Sequence, residues 1–341
     1  MRTDCVQRVA STGLTPVHIC LAHAVAGPVP ANAEPVTTVE GPQLVLRPQA
    51  LAAGLVDDEI RRRLRRGDWS ALQRGAYLAG RGQLDSRNRH LLAVRATMAG
   101  LRVPAVLSHA SAAAVHGLPL WGVPLRQVHV TRRPPARSAD ERRLRSHAAR
   151  LPPEDVVVVD GTVVTSIART VVDLARWLPF TAALAVADAA LAEGTTPDEL
   201  MHVLDAGQGT RGTRSARRVL RAADHRSESV GESRSRALMI DAGLPLPDLQ
   251  MEVRRADGQW IGRCDMGWRD ERLLGEFDGR IKYGRLLRPG QDPGDAVFEE
   301  KLREDALRDE GWGMVRWVWA ELARPAALVQ RWRRALDRGT R

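Results

Sequence analysis

Residues 260–279 read WIGRCDMGWRDERLLGEFDG, and the pairing of this stretch with itself decides what the tail of the chain can be. Two runs, 260–268 and 273–278, flank the polar tetrapeptide Arg269-Asp270-Glu271-Arg272, a common length for a hairpin loop. If Trp268 pairs with Leu273, the same register sets Asp265 opposite Glu276. Alternation along the strands then puts Asp265, Gly267, Leu274, Glu276 and Asp278 on one face, and Met266, Trp268, Leu273 and Phe277 on the other. Opposed side chains lie about 5 Å apart at Cβ, where like charges repel. Facing carboxylates therefore make sense with a cation between them, and hard oxygen ligands suit Mg²⁺ or Mn²⁺. The plain alternative is a solvated acidic face, and a one-residue slip would undo the opposition while keeping the face.

Outward from the hairpin, the tail reads helix, strand, strand, strand, helix, strand, helix. Glu228 and Glu232 stand four apart, on one side of the opening helix. Residues 249–255 give the first strand. A helix is expected over 298–310 with Gly311 as its stop; Lys301, Asp305 and Arg308 share one face, and Phe298, Leu302 and Ala306 another. In the last strand Val315, Trp317 and Trp319 alternate with Met314, Arg316 and Val318. Six of the nine tryptophans lie in this tail, enough to pack a core. The chain has only two lysines, Lys282 and Lys301, and both follow the acids.

Ahead of the tail the chain is basic. Residues 1–223 hold 29 arginines against 19 acids, while 224–341 balance 22 against 22, so the formal charge of +10 belongs to the front two thirds. A basic body with an acid-lined end suits a polyanion held by one part and worked on by another. Two short helices are expected at 47–53 and 57–66, separated by Gly54-Leu55, with Asp57 capping the second. That second helix carries Arg61, Arg62, Arg63, Arg65 and Arg66, followed by Trp69, Leu72 and a Gly75-Ala76-Tyr77 strand. Helix, turn, basic helix and β-wing make a winged helix-turn-helix, which sets a helix in the DNA major groove; the plain alternative is a solvated basic helix.

Residues 86–223 read as mixed: a helix over 87–99, a strand at 127–131, buried valine strands at 156–159 and 163–164 around Asp160-Gly161, then helices to 223. His109, His116, His129 and His147 lack ligand spacing and read as structural or phosphate-facing. No stretch is long enough and apolar enough to span a membrane, no glycine-rich phosphate loop of Walker type is present, and Cys5, Cys20 and Cys264 give neither a zinc spacing nor a disulfide framework. A cytoplasmic location follows as the expectation. Val17 to Gly27 is mildly apolar and Ala31-Asn32-Ala33 resembles a leader cleavage site, but histidines and prolines spoil the pattern. Residues 1–41 are expected to be a disordered extension, or to follow a start codon placed too early.

The segments SESVGES (227–233), GRCDMGW (262–268), GEFDGRIKY (275–283) and EKLREDALRDEGWGMVRWVWAEL (300–322) resemble the PD-(D/E)XK nuclease superfamily, in the branch similar to very-short-patch repair endonucleases. The resemblance implies a mixed sheet flanked by helices and metal-dependent phosphodiester cleavage. Glu232 would be the helix acid, Asp265 the central metal ligand and Glu276 the acid of the second motif, with Asp278 standing where many relatives have lysine and Lys282 or Lys301 supplying that charge. The front, through RPQALAAGLVDDEIRRRLRRGDWSALQRGAYLA (47–79), SHASAAAVHGLPL (108–120) and TSIARTVVDLA (165–175), looks like antitoxins of AbiEi-type abortive-infection systems. The expected architecture is α+β and multidomain: a winged helix at 42–85, a mixed antitoxin-like middle at 86–223 and a nuclease-like domain at 224–341. The expected function is a DNA-binding, Mg²⁺-dependent endonuclease with Asp265, Glu276 and Asp278 on the metal. The alternative is a non-catalytic regulator or antitoxin with a toxin partner.

Overall fold

Three sheets, each closed from strands close in sequence, organise the part of the chain that the computed structural model describes, residues 42–279 and 293–339. The extension at 1–41, Lys282 and most of the Gly/Pro-rich loop at 284–294 lie outside the described residues. The first sheet has the order β1-β3-β2, all antiparallel: β1 (Gln43–Leu46), β2 (Trp69–Gln73) and β3 (Ala76–Ala79). Between β1 and β2 run α1 (Arg47–Ala52) and α2 (Asp57–Arg66), the latter closed by Gly67 in the left-handed conformation that glycine adopts freely. Ile60 of α2 is buried with Ala50 and Trp69. Asp57 does not cap α2: Val56 holds the cap position, and the Asp57 carboxylate takes a forked bond from Arg47 at 2.7 and 2.8 Å. The charge-assisted fork outcompetes a bond to a backbone N–H.

The second sheet follows α3 (Ser86–Gly100), whose first turn is capped by Asp85 accepting from the Asn88 N–H at 2.8 Å. It contains β4 (Val106–Leu107), β5 (Val128–Arg132), β6 (Ala139–Asp140), β7 (Leu144–Ala148), β8 (Val156–Val159) and β9 (Thr162–Thr165), ordered β6-β7-β5-β4-β9-β8. β5 and β7 run parallel, with Thr131 opposite His147, and α4 (His109–Val115) packs against them. The valine strands are not both buried: Val157 and Val158, the latter 64% exposed, lie on the edge strand β8, and Val163 on β9 beside it is exposed too. The helices α5 (Ile167–Trp177), α6 (Phe180–Ala192), α7 (Pro197–Ala206) and α8 (Thr213–Ala222) then close over a core of Val171, Leu174, Val186, Leu200 and Leu204.

The third sheet is the tail. After α9 (Val230–Asp241) come β10 (Asp248–Arg254), β11 (Trp260–Trp268), β12 (Leu273–Asp278), α10 (Pro293–Asp309), β13 (Gly313–Val318), α11 (Trp319–Leu322) and α12 (Pro325–Gly339). The sheet order is β10-β11-β12-β13, antiparallel except for the parallel β12/β13 pair. The hairpin pairs Trp268 with Leu273, Gly267 with Leu274 and Met266 with Gly275, the register expected from its loop length. Met266, Trp268, Leu273, Phe277 and Trp317 pack toward Met239 of α9 and Trp332 of α12. Leu274, Cys264 and Met251 pack on the opposite side, against Leu307 of α10.

Strict alternation fails at the Val253/Arg254 register shift and again in mid-strand. Cys264 and Met266 are two apart yet face opposite cores, as do Met251 and Leu249 across from them. Between these pairs lie Asp265 and Gln250, and Gln250 has φ 53°, a left-handed twist in mid-strand that resets the phase. Three tail expectations also need correction. Glu228 precedes α9 rather than lying on it, and bonds Arg263 at 2.7 Å. Phe298 and Leu302 are 61% and 54% exposed, since α10 turns Leu307 to the sheet. Trp319 opens α11 instead of ending β13. Among the described residues no helix is long and apolar enough to cross a membrane. The chain is a mixed α+β protein with twelve α-helices among those residues.

Candidate functional site

Ser229 and Glu232 are spaced three apart at the start of α9, and each bonds the other. The Glu232 N–H donates to Ser229 Oγ at 3.2 Å, and the Ser229 hydroxyl donates to Glu232 Oε1 at 2.6 Å. Glu232 Oε2 accepts from the Glu228 N–H and from Gln250 Nε2, both at 2.9 Å. Three polar groups thus hold the carboxylate of a residue that is 5% exposed. Burial pushes its pKa up to about 6 against the Ser229 bond, and the negative charge of Asp265 adds to the rise. Asp265 sits where the β11/β12 ladder opens. Its Oδ2 accepts the Phe277 N–H at 2.9 Å in place of a strand carbonyl. Gln250, at the phase change, reaches Glu232 with its side chain, and Asp265 stands at the same break on the neighbouring strand.

Glu276 meets different company. Its carboxylate accepts from Arg303 Nη2 at 2.6 Å and Arg316 Nε at 2.9 Å, and both arginines also bond Glu300. Arg316 lies directly across the parallel β12/β13 ladder from Glu276, while Arg303 shares a helical stripe with the buried Leu307. Arg303 is the residue that sequence reasoning missed; the four-residue spacing to Leu307 was its signal. Lys301, two residues earlier on α10, is exposed. Asp278 ends β12, half-buried. Among the described residues, Glu232, Asp265, Glu276 and Asp278 do not supply three donor atoms within 4.8 Å of one another.

The arginines of α2 divide into two groups. Arg61, Arg62 and Arg63 pair with Asp58 and Glu59 of the same helix, and Arg63 also lies over the Trp69 ring at 5.1 Å. Arg65 and Arg66 are exposed and carry no ion pair among the described residues. Beside the β2/β3 hairpin a cavity of about 820 Å³ is lined by Gln73, Arg74, Tyr77, Arg142 and Arg143, and Arg143 is anchored to the Leu72 carbonyl at 2.7 Å. A polar groove with three guanidiniums and one aromatic ring is chemistry suited to a phosphate backbone.

No family model matches the chain. Two curated relatives are uncharacterized proteins of Mycobacterium tuberculosis, one from strain CDC 1551 / Oshkosh and one from strain H37Rv. Each is 36% identical over 182 residues, covering 53% of this chain and 64% of its own length. The chain therefore spans a little under two thirds of the curated relatives it matches. A crystal structure of the RV2827C protein from Mycobacterium tuberculosis aligns with 63% of this chain and 85% of that one, at 17% identity and a TM-score of 0.36.

A second cluster lies in the middle sheet. His109 opens α4, and His129 and His147 stand on the neighbouring strands β5 and β7, on the face turned toward α4 and Trp177. One ligand atom from each falls within 4.8 Å of the others. His129 Nδ1 and His147 Nε2 are 3.2 Å apart, and the His109 and His147 rings stack at 3.7 Å. Burial pushes His129 down to about 2 and His147 to about 4, and holds His109 well below the ordinary histidine range; neighbouring rings and Arg145 add to it. No ligand spacing is legible along the chain because the three residues come from three elements.

Proposed function

We propose that this chain is a DNA-binding protein whose tail is a PD-(D/E)XK-like, metal-dependent phosphodiesterase. The observation that carries this reading is the Glu232/Asp265 pair: Glu232 is buried and held by Ser229, Glu228 and Gln250, and Asp265, fixed where β11 and β12 part, is near enough for its charge to add to the rise of the Glu232 pKa to about 6. Like charges held that way are relieved by a divalent cation, so the residues fit Mg²⁺ or Mn²⁺ on Asp265 with Glu232 beside it. Bound there, the ion supplies Lewis acidity and an acidified water. The chain itself fixes Asp265 through the Phe277 N–H and aims Glu232 through Ser229 and Gln250. Arg303 and Arg316 place positive charge on Glu276, the acid of the second motif in the resemblance, and supply the kind of charge that lysine supplies there. Delivery falls to the winged-helix-like front, through Arg65, Arg66 and the groove at Arg74, Arg142 and Arg143.

The test is incubation of supercoiled plasmid with the full chain in Mg²⁺, Mn²⁺ or EDTA, alongside Asp265→Asn. Nicking or linearisation is expected with metal only, falling at least roughly 100-fold in the variant, as for loss of a group acting on the transition state. Cleavage by Asp265→Asn at the unmodified rate would remove the assignment. The second reading, a regulator or antitoxin that binds without cutting, draws on Glu276 being neutralised by two guanidiniums and on Asp278 standing where lysine is common. It predicts DNA retardation in gels with intact plasmid under every metal condition.

A further inference from the structure

We infer that His109, His129 and His147 form a binding site for a transition-metal ion of the zinc class, apart from the acids of the tail. The geometry is already close. Two nitrogens bound to one tetrahedral ion at 2.0–2.1 Å stand about 3.3 Å apart, and His129 Nδ1 and His147 Nε2 are at 3.2 Å, with the remaining spacings inside 4.8 Å. The three residues are fixed by the fold. His129 and His147 project from one face of the parallel β5/β7 pair, and α4 is strapped over them by the Ser108 N–H donating to the His129 carbonyl at 3.0 Å.

An outer contact orients the His109 ring, as around bound metals: Ser108 Oγ lies 3.0 Å from His109 Nδ1 and itself accepts from Thr131 at 2.8 Å. The main chain at His129 is fixed as well, its backbone N–H donating to Ser111 Oγ at 2.8 Å, and His90 holds that serine at 2.9 Å. His109 also keeps φ 51°, a conformation a histidine retains only where its surroundings impose it. Two buried imidazoles and the half-buried His147 converge on one point, where His129 and His147 share one short contact. A cation would give all three a common partner. The guanidiniums nearby are offset: Arg169 is paired with Asp155 and Asp173 at 2.7 and 2.9 Å, Arg176 lies 3.5 Å from Asp173, and Arg145 lies over Trp177. An all-imidazole donor set selects Zn²⁺, Co²⁺, Ni²⁺ or Cu²⁺ over Mg²⁺.

The experiment is Co²⁺ titration of the chelator-stripped full chain, followed by visible absorption and then Zn²⁺ competition. One Co²⁺ per chain with ligand-field bands, displaced by Zn²⁺ and unaffected by Mg²⁺ excess, is expected. His147→Gln and His129→Gln should each weaken binding by roughly 100-fold or more, above the loss typical of an outer-shell partner. The exposed His202→Gln and the tail variant Asp265→Asn should keep it. Circular dichroism checks that the histidine variants fold; if they do not, the unmodified chain alone decides. Absence of stoichiometric Co²⁺ binding, binding that survives both folded histidine variants, or loss in Asp265→Asn overturns the site.

Discussion

His90 shows how a single side chain can look catalytic and be architectural. It is 2% exposed, with Nδ1 at 3.1 Å from the Leu125 carbonyl and Nε2 at 2.9 Å from Ser111 Oγ. Both nitrogens are used, the first as donor and the second as acceptor, which describes a neutral ring. Burial lowers its pKa below the ordinary 6.5, against the Leu125 bond. The unfolded chain therefore takes up this proton first as pH falls, and stability drops below about pH 6.5 by up to roughly 1.4 kcal/mol per unit per such group. Urea unfolding at pH 7.5, 6.0 and 5.0 should show a steeper acid loss in the unmodified chain than in His90→Gln, by one proton's worth. Equal slopes would mean that His90 is not buried neutral. Residue type alone revealed little of this: a lone histidine in SRNRHLLAV carries no mark of its partners 21 and 35 residues away.

At the scale of elements, the tail was readable because its signals are local. A four-residue polar loop fixes a hairpin register, and the order of helices and strands follows from the apolar period. What the sequence hides is the phase change at Gln250, since glutamine gives no sign of a positive φ. At that break the Gln250 side chain reaches Glu232. The valine run at 156–159 reads alike whether central or at an edge, so its exposure was equally hidden. α9 depends on a feature that is legible only afterwards: Gly231 lets its first turn lie on the Phe277 ring, and a Cβ there would collide with that ring. Gly231→Ala should cost about 1–3 kcal/mol by overpacking and lift Glu232 away from Asp265. Gly279→Ala, whose Cβ would meet Phe277 at an ordinary 3.5 Å, should be near neutral. Urea midpoints of the two variants measure the difference, and equal midpoints would dismiss the α9 contact as the constraint.

On the scale of the whole chain, the basic front and the acid-bearing tail are joined by a buried pair. Arg236 of α9 bonds Asp188 of α6 at 2.9 Å, with side-chain exposures of 8% and 1%, and the other Asp188 oxygen accepts the Asp224 N–H at 2.8 Å. Arg234, on the other side of α9, lies over Trp121 at 3.7 Å and reaches Trp319 at 5.3 Å. Beyond residue 40 the chain forms one compact unit, so α9 belongs to the helical middle as much as to the last sheet. Its two partners explain how an acid on α9 can be held rigidly near Asp265. Removing one side of a buried pair strands the other charge, at about 3–5 kcal/mol. Asp188→Ala should therefore weaken both halves and uncouple them. Tryptophan fluorescence, weighted to the tail by six of nine indoles, should report unfolding at lower urea than far-ultraviolet circular dichroism in the variant, whereas the two coincide in the unmodified chain. If both probes move together by less than about 1 kcal/mol, smaller than any buried-pair loss of this kind, the Arg236–Asp188 pair is not what couples the front to the tail.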